Sequence, residues 1–154
     1  MKFITVYLDS HPLSLVSQRP NKSQESDACQ VWLDGLLARG VRIVIPAIAD
    51  YEVRRELVRS GNTTGVARLT ALRNRLAFLP VSQEALERAA DLWADGRNTG
   101  RATADPHALD GDAILSAQVL TDREEISLVT VATINVKHIV RYVPNADLWQ
   151  NIAP

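Results

Sequence analysis

An α/β chain, folded as a three-layer α/β/α sandwich around a central parallel sheet, is what the sequence predicts. Short strand-like apolar runs alternate with helix-like segments from one end to the other. Those runs are continuously apolar rather than alternating, as strands covered by helices on both faces are. The length of 154 residues, with 46% hydrophobic and 23% charged residues, fits one ordinary domain over 1–154. Such a chain needs neither disulfides nor a structural metal to fold.

Phe3-Ile4-Thr5-Val6-Tyr7-Leu8 reads as a buried strand that ends at Asp9. Ser10 to Asp27 is rich in Ser, Pro, Gln and Asn and is expected to be a loop. A helix from about Ser26 to Ala38 carries an apolar stripe of Ala28, Val31, Trp32, Gly35 and Leu36, and Gly40 ends it. Val41 to Ile45 is the second strand. Pro46 opens a helix that runs to about Ser60, where Gly61-Asn62 stops it. A further helix covers about Thr64 to Leu76 and leads into a strand from Ala77 to Val81. Ser82 starts a helix that reaches Asp95 or a little beyond, and Asn98 to His107 is expected to be a second loop. Asp110 is expected to cap a helix from Gly111 to Leu120, before a fourth strand from Ser127 to Val131. A helical turn after Asn135 and a weak strand near Arg141 to Val143 complete the chain.

Composition narrows the function. The net charge of −1 excludes a generally basic nucleic-acid binder. Locally the balance differs: residues 53–75 hold Arg54, Arg55, Arg59, Arg68, Arg73 and Arg75 against the single acid Glu56, a net +5 that suits a polyanion. Cys29 is the only cysteine, which excludes a disulfide framework or a Cys-rich zinc module. The six-residue apolar stretch from Phe3 to Leu8 is too short for a signal or membrane segment, so a cytoplasmic protein with no membrane partner is expected.

Sites in parallel α/β sheets form at the carboxyl ends of the strands. Asp9 follows the first strand, and Thr133 and Asn135 follow the fourth. Asp110 and Asp112 open the helix before that strand, while Glu52 sits mid-helix after the second, with Ile48, Ala49 and Glu56 as helical neighbours. Each has a structural reading too: Asp110 as N-cap, Asp112 favoured by the helix dipole, Glu52 in an ion pair, Asn135 as a turn cap. Asp9 has the weakest such excuse, and the case rests on joint placement. Carboxylates gathered at one edge suit a hard divalent cation, which offsets their repulsion and can activate water at a phosphoryl centre.

Other chemistries lack their parts. No GxGxxG, GxxxxGK[ST] or GxSxG follows a strand. His11, His107 and His138 have no metal-ligand spacing, and Trp32, Trp93 and Trp149 read as packing residues.

Four segments in order resemble the PIN-domain family of metal-dependent nucleases, which includes VapC-like toxin ribonucleases. They are Tyr7-Leu8-Asp9-Ser10, the stretch from Ile45 to Glu56, Leu109-Asp110-Gly111-Asp112-Ala113-Ile114-Leu115-Ser116-Ala117-Gln118, and Val131 to Ile139. The resemblance implies an α/β/α sandwich and a Mg²⁺- or Mn²⁺-dependent endonuclease, commonly acting on RNA. It also implies an antitoxin partner and a homodimer. The family's acids fall on Asp9, Glu52 and Asp112, which would hold the metal, and its fourth position falls on Asn135, an amide instead of an acid. Thr133 matches a hydroxyl residue near the metal, Ser10 follows the first acid, and Asp110 is a second acid beside Asp112. The six arginines are candidates for gripping phosphate. A rival from another class is a PIN-fold RNA-binding or scaffold module with impaired catalysis, signalled by Asn135. A phosphoryl-transfer or receiver domain fits less well, because Asp9 stands alone where those want paired acids.

Overall fold

A computed structural model describes residues 3–98 and 106–153, apart from the side chains at 106–109. Five strands, β1 (Thr5–Leu8), β2 (Arg42–Pro46), β3 (Ala77–Leu79), β4 (Val129–Ala132) and β5 (Ala146–Asp147), form one sheet in the order β3-β2-β1-β4-β5. Every pairing is parallel. The first strand therefore lies in the middle, and it is buried along its whole length. Successive side chains of a strand face opposite ways. Accordingly Val6 and Leu8 join one core with Leu33, Ile43, Ile45 and Leu69, while Tyr7 and Val44 join a second with Leu115, Val131 and Ile139. Two cores, one per sheet face, explain why the strand runs are apolar throughout.

Among the described residues seven helices supply the covering layers: α1 (Ser10–Val16), α2 (Gln24–Ala38), α3 (Ala47–Arg59), α4 (Thr63–Arg75), α5 (Gln83–Asn98), α6 (Pro106–Thr121) and the short α7 (Val136–Ile139). Gly40, at φ +77°, takes the left-handed conformation that ends α2, as expected from sequence. Among the described residues no helix is long and apolar enough to cross a membrane.

Four expectations are corrected. Ser10 to Asp27 is not a loop: α1 occupies its first third, burying Pro12, Leu13, Leu15 and Val16, and Asp9 caps it. Proline in a first turn loses no hydrogen bond, so Pro12 is compatible with a helix that the polar composition around it disguised. At the other end, Ser23 starts α2 with a capping box to Ser26. The helix expected from Gly111 begins at Pro106, so Asp110 is not its N-cap, and Asp110 and Asp112 lie beyond its first turn. Of the expected loop from Asn98 to His107, residues 99–105 lie outside the described residues and the rest is helical. No strand forms at Arg141 to Val143. Val143 is buried in the second core without strand pairing, and the fifth strand lies at Ala146–Asp147 beside β4. The remaining differences are at boundaries: β3 stops at Leu79, and a 3-10 turn at Ile126–Leu128 precedes β4.

Candidate active site

The register of the central strands builds the site. Leu8 of β1 pairs with Ala132 of β4, so the residues that follow, Asp9 and Thr133, emerge side by side at the carboxyl edge of the sheet. The Asp9 backbone N–H donates to the Ala132 carbonyl at 3.0 Å, extending the ladder by one bond. The Thr133 hydroxyl donates to Asp9 Oδ2 at 2.6 Å, while the Ser10 backbone N–H donates to Asp9 Oδ1 at 2.7 Å. Thr133 Oγ1 in turn accepts the Asn135 backbone N–H at 2.9 Å. That bond leaves the threonine proton free to point at Asp9. Asp9 is 5% exposed, and the orientation of its carboxylate is set from both sides.

Glu52 reaches the same edge from the second turn of α3, and Asp112 reaches it from α6, which packs against α3. The acids sense one another. Burial, then the charges of Asp9 and Asp112, push Glu52 up to about 6, partly opposed by Arg55. Burial, then the charge of Asp9, push Asp112 up to about 6, against the pull of His138 and a hydrogen bond from the Asn135 side chain. Burial also raises Asp9, opposed by its bonds from Thr133 and Ser10 and by nearby His11. Glu52 lies close against α6: a Cβ built on Gly111 would stand 3.3 Å from Glu52 Oε2.

Asp9, Glu52, Asp112, Thr133 and Asn135, expected from sequence, are thus brought to one place, with Ser10 beside them. Asp110 is exposed on α6. Three anions with raised affinity for protons fit a divalent cation chemically, because a cation removes the repulsion that the protons now relieve. Among the described residues no three such groups already stand at ligand spacing.

The six arginines divide. Arg55, Arg59 and Arg68 line a groove of about 740 Å³ that opens beside Glu52. Arg54 does not face it: its guanidinium forks onto both oxygens of the buried Asp50 at 2.9 and 3.0 Å and donates to Thr70, tying α3 to α4. Arg73 lies over the Phe78 ring, and Arg75 lines a separate, smaller hollow that shares Arg68. Cys29 is buried, with its thiol pushed up to about 12 by burial and Glu25, and Trp32 packs against Trp149, so both are core residues.

Sequence reasoning missed two residues here. Gln118 is buried on α6; its Oε1 accepts the Ile48 N–H at 3.2 Å and its Nε2 donates to the Leu79 carbonyl at 2.8 Å. It caps the start of α3, where Pro46 offers no side-chain cap. Gly111 was legible only as a glycine between two acids; such a residue inside a helix usually marks a close approach.

No family model and no curated protein matches the sequence. Solved structures do. A chain of VapBC2 from Rickettsia felis, bound to a DNA fragment from its promoter, is similar at a TM-score of 0.70 and 18% identity, over 94% of this chain and 98% of that one. FitAcB from Neisseria gonorrhoeae is similar at 0.62 and 18% identity, over 95% and 99%. DNA-bound VapBC from Salmonella typhimurium is similar at 0.59 and 15% identity, over 97% and 99%. Identities this low speak to architecture alone, and on the sheet order, the helical layers and these likenesses the chain has a PIN-like fold.

Proposed function

We propose that the chain is a Mg²⁺- or Mn²⁺-dependent endoribonuclease and the toxin of a toxin–antitoxin pair. The observation that carries this reading is the meeting of Asp9, Glu52 and Asp112 at one sheet edge, with Glu52 and Asp112 each pushed up to about 6. Asp9 and Asp112 would hold the cation directly, and Glu52 would hold it through water or orient the attacking water. A cation so held would neutralise charge on a phosphodiester and acidify a bound water. The protein's own part is orientation. Thr133 and the Ser10 N–H fix the Asp9 carboxylate, and Asn135 donates to Asp112 and favours its ionised, metal-binding form. Arg55, Arg59 and Arg68 are placed to meet the phosphates of an RNA substrate. The antitoxin partner is supported by the likeness to VapBC complexes.

One observation favours a second reading, an RNA-binding module without turnover: the fourth position of the site is the amide Asn135. A single experiment separates them. Labelled RNAs are incubated with the wild type and with Asp112→Asn, in Mn²⁺, Mg²⁺ or EDTA. Cutting that needs metal and drops at least about a thousandfold in the variant is expected for the nuclease. RNA bound but uncut by folded wild type with either metal would sink it in favour of the module.

A further inference from the structure

Thr133, which orients the Asp9 carboxylate, is itself held from outside the acid cluster. Its backbone N–H donates to the Asp147 carbonyl at 3.0 Å, at the end of the β4–β5 pairing. β5 is an edge strand of two residues, shorter than the roughly 3–10 usual for strands. Its upstream end is tied by the Asn145 carbonyl, which accepts from the Val131 N–H at 3.1 Å and from the Thr130 hydroxyl at 3.3 Å. The downstream end is fastened by the chain beyond it. Asp147 Oδ1 accepts from the Leu148 N–H at 2.8 Å and from Asn151 Nδ2 at 2.9 Å, bracing a 3-10 turn at Trp149–Asn151. Trp149 then packs on Trp32 of α2, with ring centroids 5.7 Å apart. The Trp32 indole N–H donates to the Ile152 carbonyl at 2.8 Å in a buried bond. Trp32, Trp149 and Ile152 all belong to the core of Val6 and Leu8, so this end is anchored in the interior.

We infer that residues 145–152 form a strap that sets the place of Thr133, with Asp147 and Trp32 as positioning residues that act on the acid cluster through the Thr133–Asp9 bond. That bond, at 2.6 Å from a hydroxyl to a carboxylate, is short and charge-assisted, and it weakens steeply when its partners shift. Thr133 Oγ1 also accepts the Asn135 N–H, so rotation of the side chain cannot make up for a displaced backbone. A strand of two residues holds that backbone only as well as its own far end is held. Loosening the strap therefore lets the Asp9 carboxylate turn away from the orientation in which it meets a cation. The inference rests on the metal-site part of the nuclease reading and not on the nature of the substrate.

Mn²⁺ affinity is measured by titration calorimetry at a temperature where melts show every variant folded. Asp147→Ala is expected to bind Mn²⁺ about fivefold more weakly, less than the roughly 10–100-fold lost when a direct partner of a metal ligand is removed. Asp147→Asn keeps the Oδ1 acceptor and should bind as the wild type does. Asn151→Ala opens the same fastening from an exposed position, and Trp32→Phe frees the Ile152 carbonyl at the other end; both should weaken binding in the same direction. Each is repeated in a Thr133→Val background, which keeps the shape of the side chain and removes the hydroxyl. There the strap variants should cost nothing further, because the bond they act through is already gone. The same loss in both backgrounds would overturn the inference, since it would mean general loosening of the fold. Unchanged affinity in Asp147→Ala and Trp32→Phe would overturn it as well. The metal-site reading fails in another way: the wild type itself then binds no Mn²⁺, and the strap's role at the site falls with it. Mn²⁺ bound by the wild type and lost by equal factors with and without the Thr133 hydroxyl sinks the strap alone.

Discussion

Asn135 contributes a donor where an acid would contribute a charge. Its side chain bonds to Asp112 and pulls the pKa of that carboxyl down, while its backbone N–H orients Thr133. An aspartate could keep the second role but not the first. Asn135→Asp is therefore expected to raise Asp112 above its present value of about 6 and to destabilise the metal-free protein at pH 7.5 by about 1 kcal/mol. Thermal melts with and without Mn²⁺ check this, because added cation should restore the loss.

The sign of the pH dependence follows from the raised acids. Glu52 goes from 4.5 to about 6 on folding, so the folded chain takes up protons. Its contribution is fully present below pH 4.5 and is lost as pH rises through about 6. Glu52→Gln should match wild-type stability near pH 4 and exceed it by about 1 kcal/mol above pH 7, after discounting for partial solvent screening. Denaturant unfolding across that range measures the difference, and a gap that grows toward low pH would refute the assignment. Gly111→Ala probes the same carboxylate sterically. Alanine is the better helix former by about 1 kcal/mol, yet its methyl would press on Glu52 Oε2. The expected outcome is metal-free stability within about 1 kcal/mol of wild type and Mn²⁺ affinity weakened several-fold by titration calorimetry.

Helices here hold one another through single side chains as well as through cores. Gln118 reaches from α6 to the first turn of α3 and to the end of β3. Replacing it with leucine leaves the Ile48 N–H and the Leu79 carbonyl without their buried partner. A loss of about 2–3 kcal/mol is expected by denaturant unfolding, together with weaker Mn²⁺ binding, since Glu52 stands four residues beyond Ile48. Such a bridge was not legible in sequence, because a glutamine at a helical core position carries no mark of the backbone it will meet. What was legible followed from periodicity and neighbours: the central strands, the α3 and α4 helices with their Gly61-Asn62 break, and the acids at Asp9, Glu52 and Asp112. The misses share a cause. α1 hid because its short buried stripe opens a polar stretch that runs on to Asp27, and the start of α6 was placed late because Asp110 looked like a better cap than the chain before it. Arg54 looked like its neighbours in charge, and only the fold shows it committed to Asp50.

The molecule as a whole is organised from its first strand outward. β1 lies between β2 and β4, and the opposite end of the sheet is closed by Tyr7, whose hydroxyl donates to Asp122 at 2.7 Å while Arg42 binds Asp122 and Glu124. Burial would raise Asp122, but the bonds from Tyr7 and Arg42 outweigh it and hold the carboxyl below its usual range. Asp122→Asn should therefore lower stability above the ordinary carboxylate range by about 1 kcal/mol, with little effect on Mn²⁺ binding at the far edge. An equal loss of both would mean that the two ends of the sheet are coupled.

The central place of β1 also has a consequence for the chain during its synthesis. Asp9 and Asn135 are 126 residues apart in sequence, and β1 stays unpaired on one side until β4 has been made. At ordinary elongation rates that interval is about 10 s. Throughout it no ribosome-bound fragment can hold the full acid cluster together, so on the nuclease reading a growing chain is harmless to the message it is being read from. Cutting capacity would arrive abruptly, only when β4 and the turn after it are out and folded. A fragment ending at residue 128 should accordingly show no cooperative melting and no Mn²⁺ binding.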